Sequence, residues 1–477
     1  MEKEISNSIA HQHNSKPELV FGLVGPIGVD MDQLQSALVS ALNNVGYQSE
    51  TIHLTKLLER YETPPQGPFS SSYRAKIERA NAFCTTAGNN AALAGLGILE
   101  IMDLRGARLS AAPDDIAKGL SGRAYIIRQL KRPDESSLLK KVYGDKFIQV
   151  SCSLDEDKRL QTLIRKISQE NPGYTQNKCE QEARELIIID DNQGDNARGQ
   201  HVDEIFHRGD FFVDSGGAAD RLNREVVHFI QAFFGDNSKS PRRDEVGAFT
   251  AASAALRSID LSRQVGSAIF TPSGDIISIG CNEVPKAFGG NYWYEDEEKL
   301  RDFELGAEQN AIEKQRIIVD FLDRLKLSGL VVEDYTSEDG RARLSTAIDS
   351  ALVSEITEYG RMTHAEMTAI CDAARLGRSL QGSTIYVTTF PCHNCAKHIV
   401  ASGISRVVYI EPYAKSKAVT SHPDSITTSG KHGRVSFEHF VGISPKRYQS
   451  IFKKEGKRRE KLSLNNWFEG APPTLSV

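Results

Sequence analysis

Long hydrophobic runs are missing from this 477-residue chain, and a helix that spans a bilayer needs about twenty consecutive apolar residues. No membrane crossing is therefore expected. The opening MEKEISNSIAHQHNSKPE is polar throughout and lacks the apolar centre of a secretory signal, which places the expected location in the cytoplasm. Cysteine is sparse as well. Seven scattered cysteines are too few for a disulfide framework, and two of them stand as Cys392-x-x-Cys395, a spacing that in a reducing compartment points to a metal. Excess positive charge is also lacking: a net charge of −5 argues against a protein that coats nucleic acid. What remains is an ordinary soluble composition, 39% hydrophobic and 25% charged, in a chain longer than one core usually supports. Two or three domains are expected.

The first apolar run, Leu19 to Val24, ends in the stretch GLVGPIGVDMD, after which Leu34, Leu38 and Leu42 recur at helical spacing. That reads as strand, turn and helix. Further apolar runs at AYIIRQL, KFIQVSCS, ELIIIDD and GDFFVDS, with helix-length segments between them, predict an α/β domain on a parallel sheet over residues 17–235. The stretch ETPPQGPFSSSYR reads as a mobile loop, and the polar FFGDNSKSPRRDEVG as a domain boundary. A second domain, 245–470, begins with the helical AFTAASAALRSIDLSR and the hairpin QVGSAIFT-PSGD-IISIGC. A charged insert at 289–360 follows, then HAEMTAICDAARLG as a helix closed by glycine, STIYVTTF as a strand, CHNCAKHIVASG as a helix and RVVYIEP as a strand. The basic KKEGKRREKL near the end reads as a solvated helix face.

Two segments carry chemistry: His364-Ala365-Glu366 and Pro391-Cys392-His393-Asn394-Cys395, each at a predicted helix start. Zinc takes three or four nitrogen and sulfur donors, and a catalytic site leaves one position for water. His364, Cys392 and Cys395 supply three. Cysteines three apart on a first helical turn can face one metal, and the helix N-terminus favours their thiolates. Glu366, two residues past His364, is placed to shuttle protons without binding the metal. The pattern H-x-E followed by P-C-x-x-C is a signature of zinc-dependent nucleobase deaminases. Taken singly, Cys392-x-x-Cys395 also fits half of a structural zinc site, and Thr363 with Glu366 fits a helix capping box. His393 and His398 read as surface or packing residues.

On these motifs and on SRQVGSAIFTPSGDIISIGCNEVP, the second half resembles the zinc-dependent cytidine and deoxycytidylate deaminases. The resemblance implies a deaminase-like α/β/α domain, a zinc cofactor and a substrate-contacting role for Asn282. With LRSIDLSRQVG, YIEPYAKSKA and FVGISPKRY as landmarks, nearly the whole chain looks like bacterial anti-phage deoxycytidylate deaminases that carry an N-terminal P-loop kinase-like domain. That resemblance implies conversion of dCTP or dCMP to the uracil nucleotide, which starves viral DNA synthesis, and a homo-oligomer. Lys415 and Lys417 are the expected partners of substrate phosphates. Deamination of a base in tRNA or single-stranded DNA is the competing enzymatic reading, and a nucleotide sensor with a non-catalytic zinc module the non-enzymatic one.

In the first half the phosphate-loop pattern is incomplete. Aligning Gly25-Pro-Ile-Gly28 with the start of such a loop puts Asp30, Met31 and Asp32 where Gly-Lys-Ser/Thr should stand, so the cation for the phosphates and the magnesium ligand are both gone. Phosphoryl transfer is not expected here. Gly25 and Gly28 are kept as candidates for a regulatory nucleotide, an inhibitory RNA or protein being the other expected regulator. Arg128, Lys131 and Arg132 are the candidate compensating cations, and Asp190 with Asp191 a candidate magnesium pair at a strand end.

Overall fold

The chain forms two compact units, Met1–Val246 together with His439–Val477, and Gly247–Glu438. The computed structural model describes residues 16–61, 73–109, 119–193, 198–217, 219–330, 337–349, 351, 353, 356, 358–413, 415–430, 433–453, 458–460 and 463–464. The expected loop ETPPQGPFSSSYR falls mostly outside them, as do parts of the basic KKEGKRREKL.

In the first unit, β1 (Leu19–Val24), β2 (Gln48–His53), β3 (Arg123–Leu130), β4 (Phe147–Ser153) and β5 (Phe211–Asp214) form a sheet in the order β5-β4-β1-β3-β2, all parallel. Every residue of β1 is buried, as expected for a central strand covered on both faces. The helix Met31–Asn44 lays Leu34, Leu38 and Leu42 into the same core as Phe21, Leu23, Ile148 and Val150. Connections from β1 and from its neighbour β3 leave in opposite directions, which opens a crevice at the carboxyl ends of these strands.

Two sequence expectations change. ELIIIDD is not a strand but the end of a helix, Gln176–Asp191, whose buried residues Cys179, Ala183, Leu186, Ile187 and Asp190 follow helical spacing while Ile188 is 67% exposed. A short apolar run does not by itself reveal its period. The last segment also differs from a second domain continuing to 470. Gly442–Ile443 pairs antiparallel with β5, Ile443 and Ile451 enter the first core, and Arg447 bonds Asp210 at 2.9 Å. The helix Pro445–Phe452 stops before the basic run.

The second unit carries a sheet of β6 (Gly266–Phe270), β7 (Ile276–Cys281), β8 (Thr384–Thr389), β9 (Arg406–Glu411), β10 (Ile426–Thr427) and β11 (Val435–His439) in the order β10-β11-β9-β8-β6-β7. β6 and β7 are the expected hairpin, β6 pairs antiparallel with β8, and β8 pairs parallel with β9. The helices Ala365–Arg375 and His393–Ala401 pack on this sheet through Ala369, Ala373, Ala396 and Ile399 against Ile269, Ile385 and Val387. The insert holds the helices Asp302–Leu305, Gln309–Leu327 and Glu338–Asp349.

Candidate active site and metal centre

The start of helix Ala365–Arg375 is held tightly against the hairpin. A Cβ placed on Gly280 of β7 would lie 2.3 Å from the Ala365 carbonyl oxygen and 2.7 Å from the Ala369 nitrogen, so only glycine permits this approach. Ser267 and Ser278 hydroxyls donate to the carbonyls of Ala365 and Ala369 at 2.7 and 2.8 Å. Just upstream, Glu283 and Thr363 exchange backbone hydrogen bonds of 3.1 and 3.2 Å. These contacts fix where His364 and Glu366 stand. His364, not Thr363, is the N-cap and its side chain makes no capping bond, so the capping-box reading falls: the imidazole is turned to other partners.

Those partners are the two cysteines. Cys392 is the N-cap of helix His393–Ala401, and its sulfur accepts from the Cys395 backbone N–H at 3.5 Å. Nδ1 of His364 lies 3.4 Å from the sulfurs of both Cys392 and Cys395, and all three donor atoms fall within 4.8 Å of one another. Tetrahedral zinc with bonds of about 2.0–2.3 Å separates nitrogen and sulfur ligands by about 3.6 Å, so the donor set fits the metal. Without metal the group shares protons. The Cys392 thiol is lowered to about 4, first by its bond with Cys395, and His364 is raised to about 9, first by its bond with Cys392. Cys395 is pushed well above the thiol range by the Cys392 sulfur and by burial. Zinc needs a neutral imidazole and two thiolates, so its binding displaces these protons.

Glu366 is 4% exposed and contacts the Cys395 thiol. Burial, followed by the charge on Cys392, raises its carboxyl above the ordinary value. Glu366, His364 and Cys392 line a cavity of about 410 Å³, a size suited to a small molecule. Asn282 and Lys415 line it too, whereas Lys417 is the N-cap of the short helix Ala418–Ser421 and does not. Asn282 holds the neighbouring chain in place: its Oδ1 accepts from Val265 N–H and its Nδ2 donates to the Arg263 carbonyl, both at 2.8 Å. Sequence reasoning missed Arg263, Tyr413, Glu308 and Asn310, which share the cavity. Arg263 sits in the SRQVG stretch, where it could have been weighed as a second cation. Glu308 and Asn310 come from the charged insert and had no local signal. Asn310 bonds the Ile356 carbonyl at 2.9 Å and the Tyr359 N–H at 3.3 Å, tying the start of helix Gln309–Leu327 to the end of the insert.

Residues 243–411 match the cytidine and deoxycytidylate deaminase zinc-binding region. Zinc is the cofactor of that region, and the His364, Cys392 and Cys395 cluster lies within it. The deoxycytidylate deaminase of Enterobacteria phage T4 is 56% identical over 54 residues, 11% of this chain and 28% of the phage protein. The human deoxycytidylate deaminase is 35% identical over 86 residues, 18% of this chain and 45% of the human protein. The matches thus span less than half the length of these relatives. A solved dCMP deaminase from cyanophage S-TIM5, in complex with dCMP and dUMP, is 19% identical with a TM-score of 0.25 over 42% of this chain and 99% of that one. No helix among the described residues is long and apolar enough to cross a membrane.

The phosphate-loop candidates lie in the first unit. Gly25 and Gly28 belong to the turn between β1 and helix Met31–Asn44, and Gly28 has φ +96 with Arg159 close behind it. The acids of the degenerate ending are engaged within the protein. Asp30 caps the helix by accepting from Gln33 N–H at 3.0 Å, and Asp32 pairs with Arg128 at 2.6 Å. Asp190 accepts from the Ile27 N–H and from Lys131, both at 2.6 Å, and Asp191 pairs with Arg159 at 2.9 Å. Asp190 and Asp191 therefore end a helix and hold cations of the protein, in place of the expected strand-end magnesium pair. Arg132 is buried against Glu135 at 3.2 Å.

Proposed function

We propose that the protein catalyses zinc-dependent hydrolytic deamination of deoxycytidine nucleotides, dCMP or dCTP, to the deoxyuridine nucleotides. The observation that carries this reading is the buried Glu366 beside the His364, Cys392 and Cys395 cluster at one cavity. When bound there, zinc supplies Lewis acidity and makes water acidic enough to act as a nucleophile near neutral pH. Glu366 takes a proton from the attacking water and delivers it to ring N3 as the C4–O bond forms. It then takes the remaining proton from the new C4 hydroxyl, which becomes the carbonyl, and passes it to the amine as the C4–N bond breaks, and ammonia leaves.

A phosphate needs cations at the cavity, and Arg263 and Lys415 are the two lysine or arginine side chains that line it among the described residues. Asn282 orients the Arg263 segment and keeps a second amide N–H for a sugar hydroxyl. The proposal includes a cytoplasmic homo-oligomer and depletion of dCTP during phage infection, readings supported by the sequence landmarks. The relatives' names favour the free nucleotide over a base in tRNA or single-stranded DNA.

Incubating zinc-loaded protein with dCMP, dCTP, cytidine, CTP and a cytosine-containing single strand, with uracil and ammonia measured, tests the reading. Release from dCMP or dCTP is expected. Turnover confined to the strand, or none at all with zinc intact, would overturn it.

A further inference from the structure

Three carboxylates line the cavity of the second unit, Asp260, Glu308 and Glu366, and two of them are committed. Asp260 accepts from the backbone N–H groups of Ser262 and Arg263 at 2.6 and 2.9 Å, which closes its own turn. Glu366 contacts the Cys395 thiol and is assigned the proton transfers. The third, Glu308, comes from the charged insert, and its carboxylate has no hydrogen bond or ion pair among the described residues.

Glu308 is the N-cap of helix Gln309–Leu327, a position from which an acid ordinarily accepts from the first-turn N–H groups. It makes no such bond. Its backbone is nevertheless fixed on both sides. Two residues on, Asn310 is 5% exposed and both ends of its amide are bonded to the end of the insert. One residue back, the Ala307 N–H donates to the Asp302 carbonyl at 3.3 Å, and the buried Asp302 carboxylate pairs with Arg361 at 2.9 Å, three residues before His364. A half-buried carboxylate held at a cavity without a partner is satisfied by a donor that arrives with the ligand.

A deoxycytidine nucleotide brings few donors. Its phosphate oxygens, ring N3 and O2 accept, and only the exocyclic amine and the 3′-hydroxyl donate. With the amine at the zinc centre beside Glu366 and the phosphates on Arg263 and Lys415, the 3′-hydroxyl is the donor left for Glu308. We infer that Glu308 reads the 3′ end of the substrate: its carboxylate accepts from a free 3′-hydroxyl and repels a 3′-phosphate or phosphodiester, so cytosines within a DNA or RNA strand are refused. The charge on the acceptor strengthens the first contact, and two anions brought together in a half-buried site oppose the second. This assignment rests on the deaminase reading for the orientation of the nucleotide, and it gives the insert a role in confining the enzyme to free nucleotides.

The test has two arms, each on full-length, zinc-loaded protein, for the natural chain, Glu308→Gln and Glu308→Ala. In the first, kcat and KM are measured for dCMP, its 2′,3′-dideoxy analogue and deoxycytidine 3′,5′-bisphosphate. For the natural chain, kcat/KM should fall about tenfold or more without the 3′-hydroxyl and about 100-fold or more with the 3′-phosphate. Glu308→Gln, which keeps the shape and removes the charge, should narrow the bisphosphate gap about tenfold, and Glu308→Ala should remove most of the dideoxy gap, both changes appearing in KM. In the second arm, isothermal titration with dUMP and the matching dideoxy and bisphosphate products, which are not consumed, should give the same ranking and the same changes in the variants. Thermal unfolding checks that each variant is folded. Turnover of dCMP with gaps that move in neither folded variant, or a 3′-phosphate that the natural chain accepts as well as dCMP, would overturn the role of Glu308 and leave the deaminase reading standing. No turnover of any nucleotide, with the dUMP series still ranked through Glu308, would overturn the deaminase reading and keep the 3′-end reading. Neither turnover nor binding would overturn both.

Discussion

Both units place polar groups where a strand gives way to a helix, but they use the position in opposite ways. In the first, the turn after β1 is closed by the protein's own charges: Asp190 on the Ile27 N–H and Lys131, Asp32 on Arg128, Asp191 on Arg159. In the second, His364 and Cys392 are the N-caps of two helices, and with Cys395 they leave three donor atoms facing one another with no lysine or arginine among the described residues bonded to them. Internal ion pairs satisfy a loop and remove its need for a ligand, whereas a cluster of thiol and imidazole donors is completed by a metal. Helix N-termini are anion sites in either case. What differs is whether the anion belongs to the chain or prepares a place for a cation.

That contrast can be broken by removing members of each set. The largest effect is expected for Cys392→Ala: zinc content measured by plasma emission should fall to background, and deamination with it, while the first unit's unfolding transition stays in place. Glu366→Gln should keep zinc and lose about 100- to 10,000-fold in kcat, the usual range for a proton shuttle; a variant with full activity would remove Glu366 from the mechanism. Next comes Gly280→Ala. The added methyl meets backbone atoms of the site helix and no side chain can turn away, so the second unit should lose about 1–3 kcal/mol in denaturant unfolding.

Smaller effects separate residues that line the cavity from those that do not. Lys415→Ala should raise KM for the nucleotide about tenfold with little change in kcat, while Lys417→Ala stays near the natural value. The smallest effect concerns pH and the first unit alone. Burial, aided by Arg242 and Lys239, lowers His228 from 6.5 to about 4. The unfolded chain then binds this proton more readily than the folded one. The stability His228 contributes above pH 6.5 is therefore lost as pH falls toward 4, and His228→Gln should flatten that part of the stability curve.

The donors of the second unit were legible because their chemistry depends on short spacings, His364 to Glu366 and Cys392 to Cys395, that survive without any knowledge of the fold. Gly280 was not, since its meaning lies in the distance to Ala365, a residue far along the chain. In the first unit the loss of the phosphate-loop lysine was plain from the sequence, but the replacement was hidden. Asp190 lies on a helix that read as a strand, and its partner Ile27 is 163 residues away. Asn282 was visible as a residue of interest, and only the structure shows that two of its polar groups hold the Arg263 segment.

The pairing of Gly442–Ile443 with β5 has a consequence for synthesis. The first unit is interrupted in sequence by all of Gly247–Glu438, so a ribosome working at about 5–20 residues per second exposes β5 for roughly 11–46 s before its edge partner emerges. During that interval the edge is a strand template open to other nascent chains. A chain stopped after Glu438 should accordingly aggregate more than the full protein at equal concentration, with the exposed core residues Phe211 and Phe212 cut first in brief proteolysis.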